Sequence, residues 1–209
     1  MNNLTVFLLC MEYLGTVAFA VSGAAVGLKK HLDIFGVAVL GLVTATGGGL
    51  IRDVILNVTP PAVFRTPIFA AIAVVTSLIL FLPPIRNATL KSSRTHDLVL
   101  FWADSLGLAA FTVSALRTVM SIHPGGSVFF YSFLAVITGV GGGLLRDVMV
   151  QEIPFIFVKK VYAVAALAGA LAALALWPLS PLWGSVAGFL LVLTIRFLAM
   201  HFRWNLPRA

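Results

Sequence analysis

Gly47-Gly48-Gly49-Leu50-Ile51-Arg52-Asp53-Val54 recurs as Gly141-Gly142-Gly143-Leu144-Leu145-Arg146-Asp147-Val148. Both copies sit inside apolar stretches, and the likeness extends outward from them. Thr44 matches Thr138, Pro60 matches Pro154 and Arg65 matches Lys159. Upstream, Leu14-Gly15 matches Leu106-Gly107, and Phe19-Ala20-Val21-Ser22 matches Phe111-Thr112-Val113-Ser114. Glu12 matches Asp104. The register shifts by two residues between these blocks, which a loop insertion explains.

The surrounding chain is apolar. Of its 209 residues 60% are hydrophobic and 10% charged, with a mean hydropathy of +1.07. A soluble domain is roughly 25% charged, so this chain lacks the charge to cover a water-facing surface. A soluble enzyme, a disordered chain and a disulfide scaffold are excluded, and the class is an integral membrane protein. The single cysteine, Cys10, lies in an apolar run and reads as a packing residue. The net charge of +7 does not point to nucleic acid, because the basic residues fall mainly in gaps between apolar segments. There they act as topology signals. The first 23 residues resemble a signal peptide, with Ala18-Phe19-Ala20 as a small-x-small site. They lack a basic start, and Glu12 interrupts the apolar stretch, so they read as a retained first span.

Apolar stretches long enough for a helix to cross roughly 30 Å of hydrocarbon fall at about 4–27, 34–56, 67–82, 98–119, 128–150, 161–177 and 182–200. Period-two alternation is absent, which argues against a transmembrane barrel. The expectation is an all-α membrane protein with seven transmembrane helices in a single domain over 1–209, leaving no room for a soluble domain. Alternate placement of the loops puts Lys29, Lys30, Arg86, Lys91, Arg94, Lys159, Lys160, Arg203 and Arg208 on one side, and mainly Arg65 and Arg117 on the other. The positive-inside rule makes the first side cytoplasmic, with the N-terminus outside and the C-terminus inside.

Spans one to three (about 4–82) thus repeat as spans four to six (about 98–177), and a seventh helix (about 182–200) stands outside. Three is odd, so the second copy enters the membrane the other way up. Inverted repeats of this kind place a functional site near the midplane, between the halves; a duplication with its site elsewhere is the alternative.

Three consecutive glycines disfavour a helix by roughly 1 kcal/mol each relative to alanine. A kink or unwound turn is expected at each triplet. Carbonyls freed in this way would be ligands for a dehydrated alkali cation. Close packing of helices is the alternative. The doubled, symmetric placement favours a pore or transport site at Gly47, Gly48, Gly49, Gly141, Gly142 and Gly143. Ser22, Ser114, Thr44 and Thr138 occupy matching places, where a hydroxyl lines a pore or bonds an i−4 carbonyl. Phe19 and Phe111 read as packing or as a constriction. Gly23 with Gly27, and Gly184 with Gly188, form G-x-x-x-G contacts, within or between subunits.

Charges inside spans face an interior or an aqueous path. Arg52, Asp53, Arg146 and Asp147 follow the triplets by about one turn. Adjacent residues point about 100° apart on a helix, so the Arg and Asp of one pair need not bridge each other. Each can pair with the opposite half, or with Glu12 or Asp104. Two arginines toward opposite mouths can tune cation entry or latch a gate; structural counter-ions are the other reading. The four histidines lie singly near loops or the tail, with no metal spacing.

With the doubled GGGxxRD, the seven spans and the 3+3+1 plan in view, the chain resembles the prokaryotic TRIC family, the bacterial and archaeal relatives of trimeric intracellular cation channels. The resemblance covers about residues 4–200. It implies a homotrimer in membrane lipid, with a pore in each subunit passing helices kinked at the triplets. It also implies permeant monovalent cations, potassium favoured, and no further cofactor. A bacterial inner membrane is the implied location. Animal members bind an inositol lipid through basic residues in span four; here that span offers only Arg117, and lipid regulation is not carried across. Relatives of the bacterial branch are also labelled glycine transporters. The second reading is therefore a secondary transporter for glycine or a similar small zwitterion. A trimerising scaffold would leave two buried Arg-Asp pairs without a role, and an enzyme would need a nucleophile–base or metal set that the sequence does not offer.

Overall fold

The computed structural model describes residues 3–158, 161–202 and 204. Among them are ten helices and no strand. In chain order they are α1 (Asn3–Lys29), α2 (Ile34–Ile55), α3 (Ala62–Arg65), α4 (Ile68–Phe81) and α5 (Pro83–Leu90). Then follow α6 (Ser93–Ile122), α7 (Val128–Met149), α8 (Phe155–Val158), α9 (Tyr162–Leu176) and α10 (Pro181–His201). Four of the helix starts carry side-chain caps, which satisfy an otherwise orphaned backbone N–H. Asp33 accepts from Gly36 N at 2.7 Å and Ser92 from Thr95 N at 3.1 Å. Ser127 accepts from Phe130 N at 3.2 Å and Ser180 from Trp183 N at 3.4 Å.

Helices α1, α2, α6, α7 and α10 are each long and apolar enough to cross a membrane. The expected third and sixth spans are shorter. α4 has 14 residues and α9 has 15, so at about 1.5 Å per residue they measure about 21 and 22 Å. Each is preceded by a helix of one turn, α3 or α8, which takes up chain between the expected spans. The stretch after α4, also read as connection, holds the helix α5. Pro83 and Pro84 end α4, since neither has an N–H to continue it, and the axis turns by 77° into α5.

The first helices of the two halves, α1 and α6, pack along each other, and α2 crosses α7. Ala20, Ala24 and Ala25 on α1, with Ala109, Ala110 and Ala115 on α6, are fully buried. Both G-x-x-x-G patterns make contacts inside the subunit. A Cβ built on Gly184 would lie 2.7 Å from the Ala173 carbonyl oxygen, and one on Gly188 2.7 Å from that of Gly169, so α10 rides directly on α9. A Cβ on Gly23 would lie 2.7 Å from the Leu40 oxygen of α2. Phe19 is a core residue, its ring 5.4 Å from that of Phe111. Cys10, expected in the packing, instead lies exposed on α1, because the helix turns that face away from its neighbours.

The connections group by end. Lys29 pairs with Asp97 at 3.8 Å and Lys30 with Glu152 at 2.7 Å, so the α1–α2 turn, the start of α6 and the end of α7 share one face. Arg117 donates to the Thr5 hydroxyl at 3.2 Å, away from that face. Lys159, Lys160, Arg203 and Arg208 lie outside the described residues.

Candidate functional site

Helices α2 and α7 stay α-helical through both glycine triplets. The expected unwound turns do not form, and no carbonyl is freed there. The reason is the crossing itself. A Cβ added at Gly48 would collide with the Thr138 carbonyl oxygen, and one at Gly142 with that of Thr44. A Cβ on Gly141 would lie 3.0 Å from the Gly48 Cα. The middle glycines therefore bring two backbones together where any side chain would hold them apart. The third glycines differ: a Cβ on Gly49 would meet only the Arg52 guanidinium at 3.8 Å, and one on Gly143 the Tyr162 hydroxyl at 3.5 Å. The Thr44 and Thr138 hydroxyls donate to the Leu40 and Leu134 carbonyls, both at 2.6 Å, the i−4 pattern that bends a helix slightly.

Charged sites lie on either side of this crossing. On one side an open cavity of about 210 Å³ is lined by Glu12, Thr46, Gly49, Arg52, Asp53, Ser114 and Thr138. Arg52 donates from Nε and Nη2 to Asp53 Oδ1, at 2.9 and 2.7 Å. The other Asp53 oxygen accepts from Ala62 N at 2.7 Å, which ties the motif to the start of α3. The Glu12 carboxylate makes no hydrogen bond or ion pair among the described residues.

On the other side the counterpart site is closed. The space among Asp104, Val140, Gly143, Arg146, Asp147, Phe155 and Tyr162 has no room for a water molecule. Arg146 is fully buried. Its Nη1 donates to Asp104 Oδ1 at 2.6 Å and to the Ser22 hydroxyl, while Ser22 itself donates to the same carboxylate oxygen at 2.8 Å. Its Nε donates to Asp147 Oδ1 at 2.8 Å. The second Asp147 oxygen accepts from Phe155 N at 2.9 Å, at the start of α8. The Phe155 ring centroid lies 4.8 Å from the guanidinium carbon. Arg146 Nη2 also pairs with Asp147 Oδ1 at 2.7 Å. Two buried polar atoms in this cluster, Asp104 Oδ2 and the Tyr162 hydroxyl, make no hydrogen bond; a buried polar group left so costs about 1–3 kcal/mol.

Each Arg-Asp pair bridges internally, a pairing that the helical angles leave open, because Arg side chains are long enough to curl back to the next residue. The foreseen cross-pairing forms in one half only. Arg146 reaches Asp104 and Ser22, whereas Arg52 reaches neither Glu12 nor Ser114. Three participants were not singled out from the sequence: Phe155, Tyr162 and Arg196. The last carried a signal, an arginine inside the seventh apolar stretch. No group of three or more His, Cys, Asp or Glu side chains suited to a metal occurs among the described residues.

A family model described as glycine transporter matches residues 9–83 and again 101–178. The chain belongs to this family. Its relatives include a UPF0126 membrane protein of Deinococcus radiodurans, 39% identical over 202 residues, with 94% of this chain and 89% of that one covered. The UPF0126 inner membrane protein YadS of Escherichia coli is 35% identical over 94% of this chain and 93% of its own. Among solved structures, a TRIC trimeric intracellular cation channel orthologue from Rhodobacter sphaeroides superposes with a TM-score of 0.85, at 28% identity, covering 95% of this chain and 99% of that one. A structure described for conductance through TRIC cation channels gives 0.81, at 34% identity, over 96% of both chains. The doubled family match falls on the two stretches that carry the GGGxxRD strings. With these relatives, the long apolar helices make this a multi-pass membrane protein of TRIC-like fold.

Proposed function

We propose that the protein is a potassium-permeable monovalent cation channel of the bacterial inner membrane. It works as a homotrimer in lipid with one pore in each subunit, and it acts on neither nucleic acid nor a chemical substrate. Potassium is its permeant ion, and no further cofactor takes part. The likeness to TRIC cation channels over nearly the whole chain supports the class. The observation that carries the mechanism is the pair of charged sites meeting at the Gly48–Gly142 crossing, one open and one sealed. Each site holds two carboxylates against one guanidinium: Glu12 and Asp53 with Arg52, Asp104 and Asp147 with Arg146. That excess of negative charge favours a cation over an anion.

In this reading α4 and α9 are the short third helices of two inverted repeats, and α10 is the seventh span. The N-terminus faces outward and the C-terminus the cytoplasm. The open vestibule then faces outward and the Arg146 cluster closes the cytoplasmic mouth. Ions pass beside the triplets, with Ser22, Ser114, Thr44 and Thr138 nearby, once Arg146 moves. The unsatisfied buried atoms around Arg146 make the closed arrangement poor enough to open, since water entering the site would satisfy them.

The test is a potassium gradient across liposomes containing the purified protein, with single-channel current recorded and labelled glycine uptake followed in parallel. Discrete currents reversing near the potassium equilibrium potential are expected. Saturable glycine uptake without unitary currents would replace this reading with that of a transporter, the activity for which the matching family model is described.

A further inference from the structure

Helix α10 stands outside the repeated pattern, yet it sends an arginine into the core. Arg196 is 5% exposed. Its guanidinium carbon lies 4.9 Å from the ring centroids of both Tyr162 and Phe101, and its Nε donates to the Ser105 hydroxyl at 3.2 Å. The Tyr162 ring thus lies against the Arg196 guanidinium and also lines the Arg146 cluster. Its hydroxyl makes no hydrogen bond, so the ring is held by stacking and not by its polar tip. Tyr162 also borders the sealed site, close to Gly143.

The first half of the chain differs at the matching positions. In the register that pairs Pro60 with Pro154, the counterpart of Phe155 is Pro61 and that of Tyr162 is Ile68. Ile68 is 47% exposed. The vestibule of that half, bordered by Phe69 and Phe111, is open, whereas the one with Phe155 over its arginine and Tyr162 at its edge is closed.

We infer that Arg196 is a positioning residue that holds the Tyr162 ring as a lid over the Arg146 cluster, so that α10 sets whether the second vestibule opens. Cation–π contacts strengthen when desolvated, and two such contacts plus a hydrogen bond fix the guanidinium in one place. The inference rests on the channel reading for its consequence, a change in open probability. The lid itself is a matter of access and is testable without current.

The full-length protein is reconstituted in liposomes as parent, Arg196→Met, Arg196→Lys and Tyr162→Phe. Methionine keeps the volume without the charge, and lysine keeps the charge without the planar stacking face. Both Arg196 variants are expected to raise open probability by about tenfold or more with unitary conductance unchanged. Tyr162→Phe keeps the stacked ring and removes a buried unpaired hydroxyl, so its open probability should not rise above that of the parent. In parallel, Val140, buried against the sealed site, is replaced (Val140→Cys) in a Cys10→Ser background and exposed to a hydrophilic thiol reagent. Labelling is expected to be absent in the parent and to appear with Arg196→Met. Unchanged labelling together with unchanged open probability would overturn the inference, as would a change in unitary conductance alone. Labelling that appears with Arg196→Met in a protein that carries no current would uphold the lid and refute the channel.

Discussion

The two triplets are uniform in sequence but not in space, and this gives a prediction of opposite sign within three residues. Adding a methyl to a helical glycine favours the helix by about 0.8–1 kcal/mol. At Gly49 the new Cβ would meet only the tip of Arg52 at 3.8 Å, so the gain is kept. At Gly48 it would collide with the Thr138 carbonyl oxygen, which belongs to a helix backbone and cannot rotate away. Overpacking of that kind costs about 1–3 kcal/mol, and backbone against backbone belongs at the upper end. Gly48→Ala is therefore expected to be about 2–3 kcal/mol less stable than Gly49→Ala. At about 2–4 °C per kcal/mol for a chain of this size, the two melting midpoints in detergent should differ by roughly 5–10 °C, Gly49→Ala being the higher. Gly142→Ala should behave as Gly48→Ala does. Equal midpoints for Gly48→Ala and Gly49→Ala would refute the claim that the triplets exist to bring α2 and α7 into contact.

Further expectations concern the charges. Arg146→Ala leaves Asp104 and Asp147 buried without their cation, a loss of about 3–5 kcal/mol; Arg146→Lys keeps a cation without the planar fork, so it should recover much of that stability and still raise potassium flux, whereas low flux in a stable Arg146→Lys protein would end the gate proposal. Ser22→Ala removes one contact to Arg146 and is expected to cost about 1 kcal/mol while raising open probability, read in single-channel records. Glu12→Gln removes the excess negative charge of the open vestibule, so the reversal potential in a KCl gradient should move toward zero; an unmoved potential would assign cation selection elsewhere.

Much of the fold was legible because membrane helices announce themselves. The expected bounds 34–56 and 128–150 meet α2 and α7 almost residue for residue, since Asp33 and Ser127 cap these helices where the apolar stretches begin. The short helices α4 and α9 were less visible: hydropathy records apolar length, and residues 67–82 and 161–177 are apolar to their ends whether or not the helix continues. The triplets misled for a different reason. Intrinsic propensity argues against three glycines in a helix, and tertiary packing of α2 on α7 overrides it. The Arg146 cluster was partly legible, because matching acids stood at Glu12 and Asp104. Its asymmetry was not, since it depends on Phe155, Tyr162 and Arg196, which break the repeat instead of obeying it.

The lengths of the helices have a consequence for the lipid around the protein. α1 and α6 have 27 and 30 residues, whereas α4 and α9 extend only about 21 and 22 Å. The short helices present lipid-type faces, with Val75 and Ile79 on α4, and Val164 and Leu171 on α9, all exposed. In the proposed seven-span arrangement the hydrocarbon thickness that the subunit requests is thus uneven around its perimeter, and acyl chains beside α4 and α9 compress to meet it, at fractions of a kcal/mol per Å. Bilayer thickness becomes a variable acting on this protein. Vesicles of short-chain lipid should accommodate it with less strain than vesicles of long-chain lipid, the difference arising beside the two helices that line the approach to each vestibule.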